Sequence, residues 1–88
     1  MLLLKALYTP VAGTDPEYAQ GAIERNDLAH REVVRFAWLI EVPEPGDAVQ
    51  WRARLNETVD AAHGRFDVVP ASEDERRKVE CGEITLQR

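Results

Sequence analysis

Three side chains in this 88-residue sequence, His30, His63 and Cys81, are of the neutral types that bind metals or serve as bases and nucleophiles. Structural zinc sites take such ligands from short paired spacings, and none of the three has a neighbour of that kind, so neither a metal centre nor a cofactor is expected. A nucleophilic Cys81 would need basic surroundings or a helix N-terminus. Glu80 and Glu83 flank it near an expected helix end, so a buried structural thiol is the expectation. His63 is placed near the negative end of a helix, where positive charge is favourable, and His30 in solvent between elements. Ser72, the only serine, is accounted for by helix capping. The five glycines are scattered and none precedes Lys-Ser or Lys-Thr, which excludes a phosphate-cradling loop. Sixteen carboxylates make chance acid–base pairs unavoidable, so their number is no sign of hydrolysis. No catalytic constellation assembles, and the chain is not expected to be an enzyme.

The remaining candidates are surfaces for a partner. Glu73, Asp74 and Glu75 are three adjacent carboxylates, costly to bury and therefore expected to be exposed. Trp38 and Trp51 are expected in the core, but an exposed indole would be an interface anchor, with Arg35, Arg52 and Arg54 able to flank it. The candidate partner-binding residues are thus Glu73, Asp74, Glu75, Trp38, Arg35 and Arg52. A net charge of −5 disfavours direct binding to nucleic acid or anionic lipid and suits a protein partner with a basic surface.

Helices and strands must position these groups. Leu2 to Tyr8 reads as a strand ended by Thr9-Pro10; its apolar start is broken by Lys5 and lacks a preceding basic region, so a strand explains it better than a signal peptide. Thr14 or Asp15 can cap a helix that has Pro16 in its first turn and Tyr18, Ala19, Ala22 and Ile23 as an apolar stripe. Glu32 to Val42 reads either as a helix continuing from Asn26, which would need burial on nearly all sides, or as one strand with Val34, Phe36, Trp38 and Ile40 on its more buried face, and its β-branched and aromatic content favours the strand. After the Pro43-Glu44-Pro45-Gly46 turn, Asp47 caps a helix reaching His63, with Gln50 at the capping-box position. Ala48, Trp51, Leu55, Val59 and Ala62 form its apolar face, and Gly64 offers a left-handed stop. Arg65 to Val69 is a short strand ended by Pro70. Ser72 to Glu75 is a second capping box opening a short helix that Gly82 ends, and Glu83 to Gln87 alternates as a last edge strand.

This order predicts a single α+β domain over residues 1–88, with a mixed or antiparallel sheet of three to four strands packed by two to three helices. A hydrophobic content of 44% beside 31% charge is that of a soluble globular domain, no apolar run is long enough for a membrane span, and the lone cysteine points to a cytoplasm. Nine arginines among eleven basic residues, together with eleven alanines, suit a GC-rich bacterial or bacteriophage genome. The leading expectation is a small acidic accessory protein that works by protein–protein binding: an inhibitor of a defence or toxin enzyme, an immunity protein or an adaptor. Its rivals are a structural subunit of a phage particle or other homo-oligomer, and a small oligomeric enzyme with a site between subunits.

Overall fold

The computed structural model describes residues 2–88. Strand β1 (Leu2–Pro10) leads to helix α1 (Glu17–Arg25), then to strands β2 (Ala29–Val34) and β3 (Ala37–Val42), helix α2 (Ala48–Thr58), strand β4 (Gly64–Pro70) and helix α3 (Glu73–Glu80). The four strands form one antiparallel sheet in the order β2-β3-β1-β4, so the fold is α+β as expected. Each of the first two helices links strands that are not neighbours: β3 lies between β1 and β2, and β1 between β3 and β4. This is the split β-α-β arrangement, in which both crossover helices can cover the same face.

That face holds the main core. Leu4, Ala6 and Tyr8 of β1, Trp38, Ile40 and Val42 of β3, and Phe66 and Val68 of β4 meet Ala19, Ala22 and Ile23 of α1 and Trp51 and Leu55 of α2. Alternation sends Leu39 and Lys5 to the opposite face. Leu39 is fully buried there, and Lys5 pairs with Glu75 of α3 at 2.9 Å, so the third helix ties to the back of the sheet.

Glu32 to Val42 is two strands rather than one. The chain folds back at Arg35-Phe36, with Val34 opposite Ala37 and a shift of register between Glu32 and Val34. Phe36 takes the positive φ of the turn, 63°, a conformation usually left to Gly or Asn. Its carbonyl accepts the Tyr8 N–H at 2.9 Å, its own N–H donates to Glu32 Oε2 at 3.3 Å, and its ring sits 6.0 Å from that of Tyr8. The expected face holds for Trp38 and Ile40, whereas Phe36 is only partly buried and Val34 is 64% exposed.

Helix α2 ends five residues earlier than its apolar spacing suggests. The Thr58 hydroxyl donates to the Arg54 carbonyl at 2.9 Å, Val59 turns to extended backbone, and Asp60 opens a turn by accepting the Ala62 N–H at 2.9 Å. Val59 stays buried, but Ala62 is exposed. Gly64 is therefore not a helix stop. It begins β4 at φ 151°, where an added Cβ would lie 2.5 Å from the Tyr8 ring. The last predicted strand is also absent: Gln87 forms one isolated bridge with His30.

Local signals fare better. Asp47 accepts the Gln50 N–H at 2.8 Å, whereas α1 starts one residue later than expected, with Pro16 at its N-cap and Asp15 just outside accepting the Glu17 N–H at 2.9 Å. Ser72 and Glu75 form the reciprocal box, with bonds of 3.1 and 3.0 Å. Gly82 follows α3 at φ 85°.

Candidate functional site

His30 lies on β2 with Nδ1 2.9 Å from the Leu28 carbonyl oxygen. His63 is in the turn before β4, beyond the end of α2, and stacks on Tyr18 at 4.1 Å with the rings 10° from parallel. Cys81 caps the end of α3 and is exposed rather than buried, its Sγ 3.5 Å from the Lys78 carbonyl oxygen. The helix ends before its next turn could cover the thiol. Among the described residues no group of three or more histidine, cysteine or carboxylate side chains is disposed to hold a metal ion.

The six expected partner-binding residues fall in separate places. Trp38 is 1% exposed and packs near Phe66, so it lies in the core with Trp51 and offers no surface anchor. Arg35 is at the β2–β3 turn, 5.4 Å above the Phe36 ring. Arg52 is on α2, 4.0 Å from Asp67 of β4, at the other edge of the sheet. On α3, Glu73 and Asp74 are exposed but Glu75 is half-buried.

The charges of that acidic cluster are largely answered inside the protein. Asp74 sits 2.7 Å from Arg77 and 3.1 Å from Lys78. Hydrogen bonds from Lys78, then Arg77, hold its carboxyl below the ordinary range, and Asp74 in turn raises Lys78. For Glu75, burial pushes the carboxyl up, but the Ser72 N–H and Lys5 outweigh it and the net shift is downward.

A second acidic region gave no motif in the sequence. Glu17, Gln20 and Glu24 of α1 face Glu32 of β2 across a shallow groove of about 440 Å³ whose lining contains no basic residue. Glu24 accepts a hydrogen bond from Gln20 at 3.0 Å, and Glu32 accepts the Phe36 N–H. Neither they nor Glu17 has a cation within 4.0 Å among the described residues. The groove continues into a hollow of about 510 Å³ bounded by Asp27, His30, Arg31, Gln87 and Arg88, where Arg88 lies 3.7 Å from Asp27. The polar stripe on α1 was visible in the sequence as the side opposite Ala19, Ala22 and Ile23. Its meeting with Glu32 depends on the crossover that brings β2 beside α1.

Both sheet edges bear on what such a surface can do. At the β4 edge the Asn56 carboxamide replaces a neighbouring strand: its Nδ2 donates to the Phe66 carbonyl at 3.0 Å and its Oδ1 accepts the Phe66 N–H at 2.7 Å. The Val68 N–H is taken by Asp67 at 2.9 Å, and Pro70 has no N–H to offer. At the β2 edge the His30 N–H and carbonyl bond Gln87 at 2.9 and 3.0 Å. Because backbone groups alternate along an antiparallel strand, the N–H and carbonyl of Glu32 point the same way as those of His30, out of the sheet.

No helix among the described residues is long and apolar enough to cross a membrane. No protein-family model matches the chain, and neither a curated protein nor a solved structure matches it significantly.

Proposed function

We propose that this protein is a small acidic accessory module that acts by binding another protein, in the manner of an inhibitor of a defence or toxin enzyme, an immunity protein or an adaptor. The observation that carries the reading is the acidic groove between α1 and β2, where Glu17, Glu24 and Glu32 line one concavity with no ion pair among them, Arg31 and Arg88 lying in the adjoining hollow that Glu24 and Glu32 also line. Carboxylates in such a concavity favour a cationic partner and speed its approach. The groove is open and lined by polar side chains rather than enclosed and apolar, which suits a protrusion or segment from a larger surface better than an engulfed small molecule. The α3 cluster has Arg77, Lys78 and Lys5 as its own counter-charges and is the weaker candidate.

Affinity capture with the tagged protein in cells of its native host, followed by light scattering on the purified complex, tests the reading. A defined complex with a protein that presents a basic surface is the expected result. Recovery of nothing but the protein itself, or of a discrete self-assembly, would overturn it in favour of a structural subunit.

A further inference from the structure

Resting on the protein-binding reading above, we infer that the β2 edge receives an extended, basic segment of the partner as an added strand, centred on Glu32. The pairing of Gln87 with His30 already demonstrates the mode: the chain's own C-terminal segment docks antiparallel on this edge through two backbone bonds of 2.9 and 3.0 Å. That segment bonds the edge at His30 alone: Thr85, which the same antiparallel register would set opposite Glu32, makes no ladder bond there. Glu32, two residues on, presents its N–H and carbonyl in the same direction, and Val34 beside it is 64% exposed. The opposite edge offers no donor at the matching positions, since Asn56 takes both backbone groups of Phe66, Asp67 takes the Val68 N–H and Pro70 has none.

Charge selects the occupant. A residue paired with Glu32 across the edge shares its face of the sheet, which here is the face bearing α1 and the carboxylates of Glu17 and Glu24. Lysine or arginine at that position would meet three carboxylates. A second copy of this chain would not fit: with His30 taken by Gln87, a symmetric pairing must centre on Glu32 and set it against Glu32 of the other copy, a like-charge pair. The mode is therefore strand addition, in which backbone bonds supply affinity and alternate side chains supply specificity.

The test uses a synthetic eight-residue peptide alternating lysine and valine, a glutamate–valine counterpart, and a lysine–valine peptide N-methylated on alternate residues to remove its ladder donors. Binding is followed by amide chemical shifts and by hydrogen exchange at Glu32. The lysine peptide should slow exchange of the Glu32 amide and shift signals from β2 and α1, while the other two peptides bind at least about tenfold more weakly, the loss expected when a backbone ladder or a charge pairing is removed. Glu24→Lys, an exposed change on α1 that leaves the edge backbone intact, should weaken the lysine peptide similarly. Equal binding of the N-methylated peptide, an unprotected Glu32 amide in the bound state, or no binding at millimolar peptide would each overturn strand addition. So would protection of Glu32 by self-association, seen as a doubled mass. A captured partner that binds the Glu24→Lys and Glu32→Lys proteins as tightly as the original overturns this inference while leaving the protein-binding reading intact.

Discussion

The two edges of the sheet solve the same problem by different means. Exposed edge backbone invites pairing with any passing strand, and β4 prevents it with side chains fixed nearby: Asn56 from α2, Asp67 from the strand itself, and a terminal proline. The β2 edge is guarded by a single bridge from Gln87, and only at His30. One closure is part of the packed core, because α2 also buries Trp51 and Leu55. The other depends on a segment joined to the edge by two backbone bonds, with the Ile84 N–H on the Lys78 carbonyl at 3.0 Å and an exposed ion pair between Arg88 and Asp27 as its further ties. The difference implies that β4 opens only when the fold is damaged, whereas β2 opens at little cost.

The largest effect that would sharpen this contrast is Leu55→Ala. Removing a fully buried side chain from α2 should cost about 2–5 kcal/mol in chemical denaturation and loosen Asn56 with it. A neutral result would mean that α2 is not anchored as described. Next comes Asn56→Ala, which leaves the N–H and carbonyl of Phe66 without their partner and should cost about 1–3 kcal/mol. It should also speed exchange of the Phe66 amide and raise the tendency to aggregate, and light scattering that stays flat would break the comparison.

On the other side, Gln87→Pro removes the N–H that His30 accepts, at a cost of only about 0.5 kcal/mol for one exposed bond. The melting temperature should hardly move while His30 exchanges faster. The smallest effect concerns the back of the sheet. Glu75 has a folded pKa below its ordinary value, so its contribution is present above the unfolded carboxylate range and is lost as pH falls through the folded value. Denaturation midpoints should therefore drop on acidification below about pH 4.5, where a free glutamate begins to protonate. In Lys5→Gln that drop should be shallower, since part of the downward pull on Glu75 comes from Lys5. An identical pH profile would show that the Lys5–Glu75 pair contributes nothing to the attachment of α3.

Features decided within a few residues were legible from the sequence. Asp47 and Ser72 cap helices because the receiving N–H lies three residues on, and the alternation of Trp38, Ile40 and Val42 follows from one strand with one buried face. The hairpin turn is hard to read because its positive φ falls on Phe36, and because His30 and Glu32 share a face with Ile40 and Trp38, so even numbers match on both sides and only the register shift at Val34 breaks the pattern. Gly64 was assigned to the wrong element, since its requirement comes from the Tyr8 ring on a distant strand. Of the candidate surface, the acidic α3 triplet is legible in the sequence, whereas the tie of Glu75 to Lys5 depends on the packing of α3 against β1. Glu32 and Glu24 were not linked at all, because only the packing of β2 beside α1 brings them to one groove.

The seal on β4 has a chemical lifetime. Asn56 serves the Phe66 carbonyl with the amide nitrogen of its side chain, a group that hydrolysis can remove without cutting the chain. Deamidation to aspartate would leave Oδ1 as an acceptor for the Phe66 N–H but set a second oxygen against the Phe66 carbonyl, turning attraction into repulsion. Old preparations would then carry an unlatched strand that no gene sequence records, detectable as a one-dalton gain in mass at that residue.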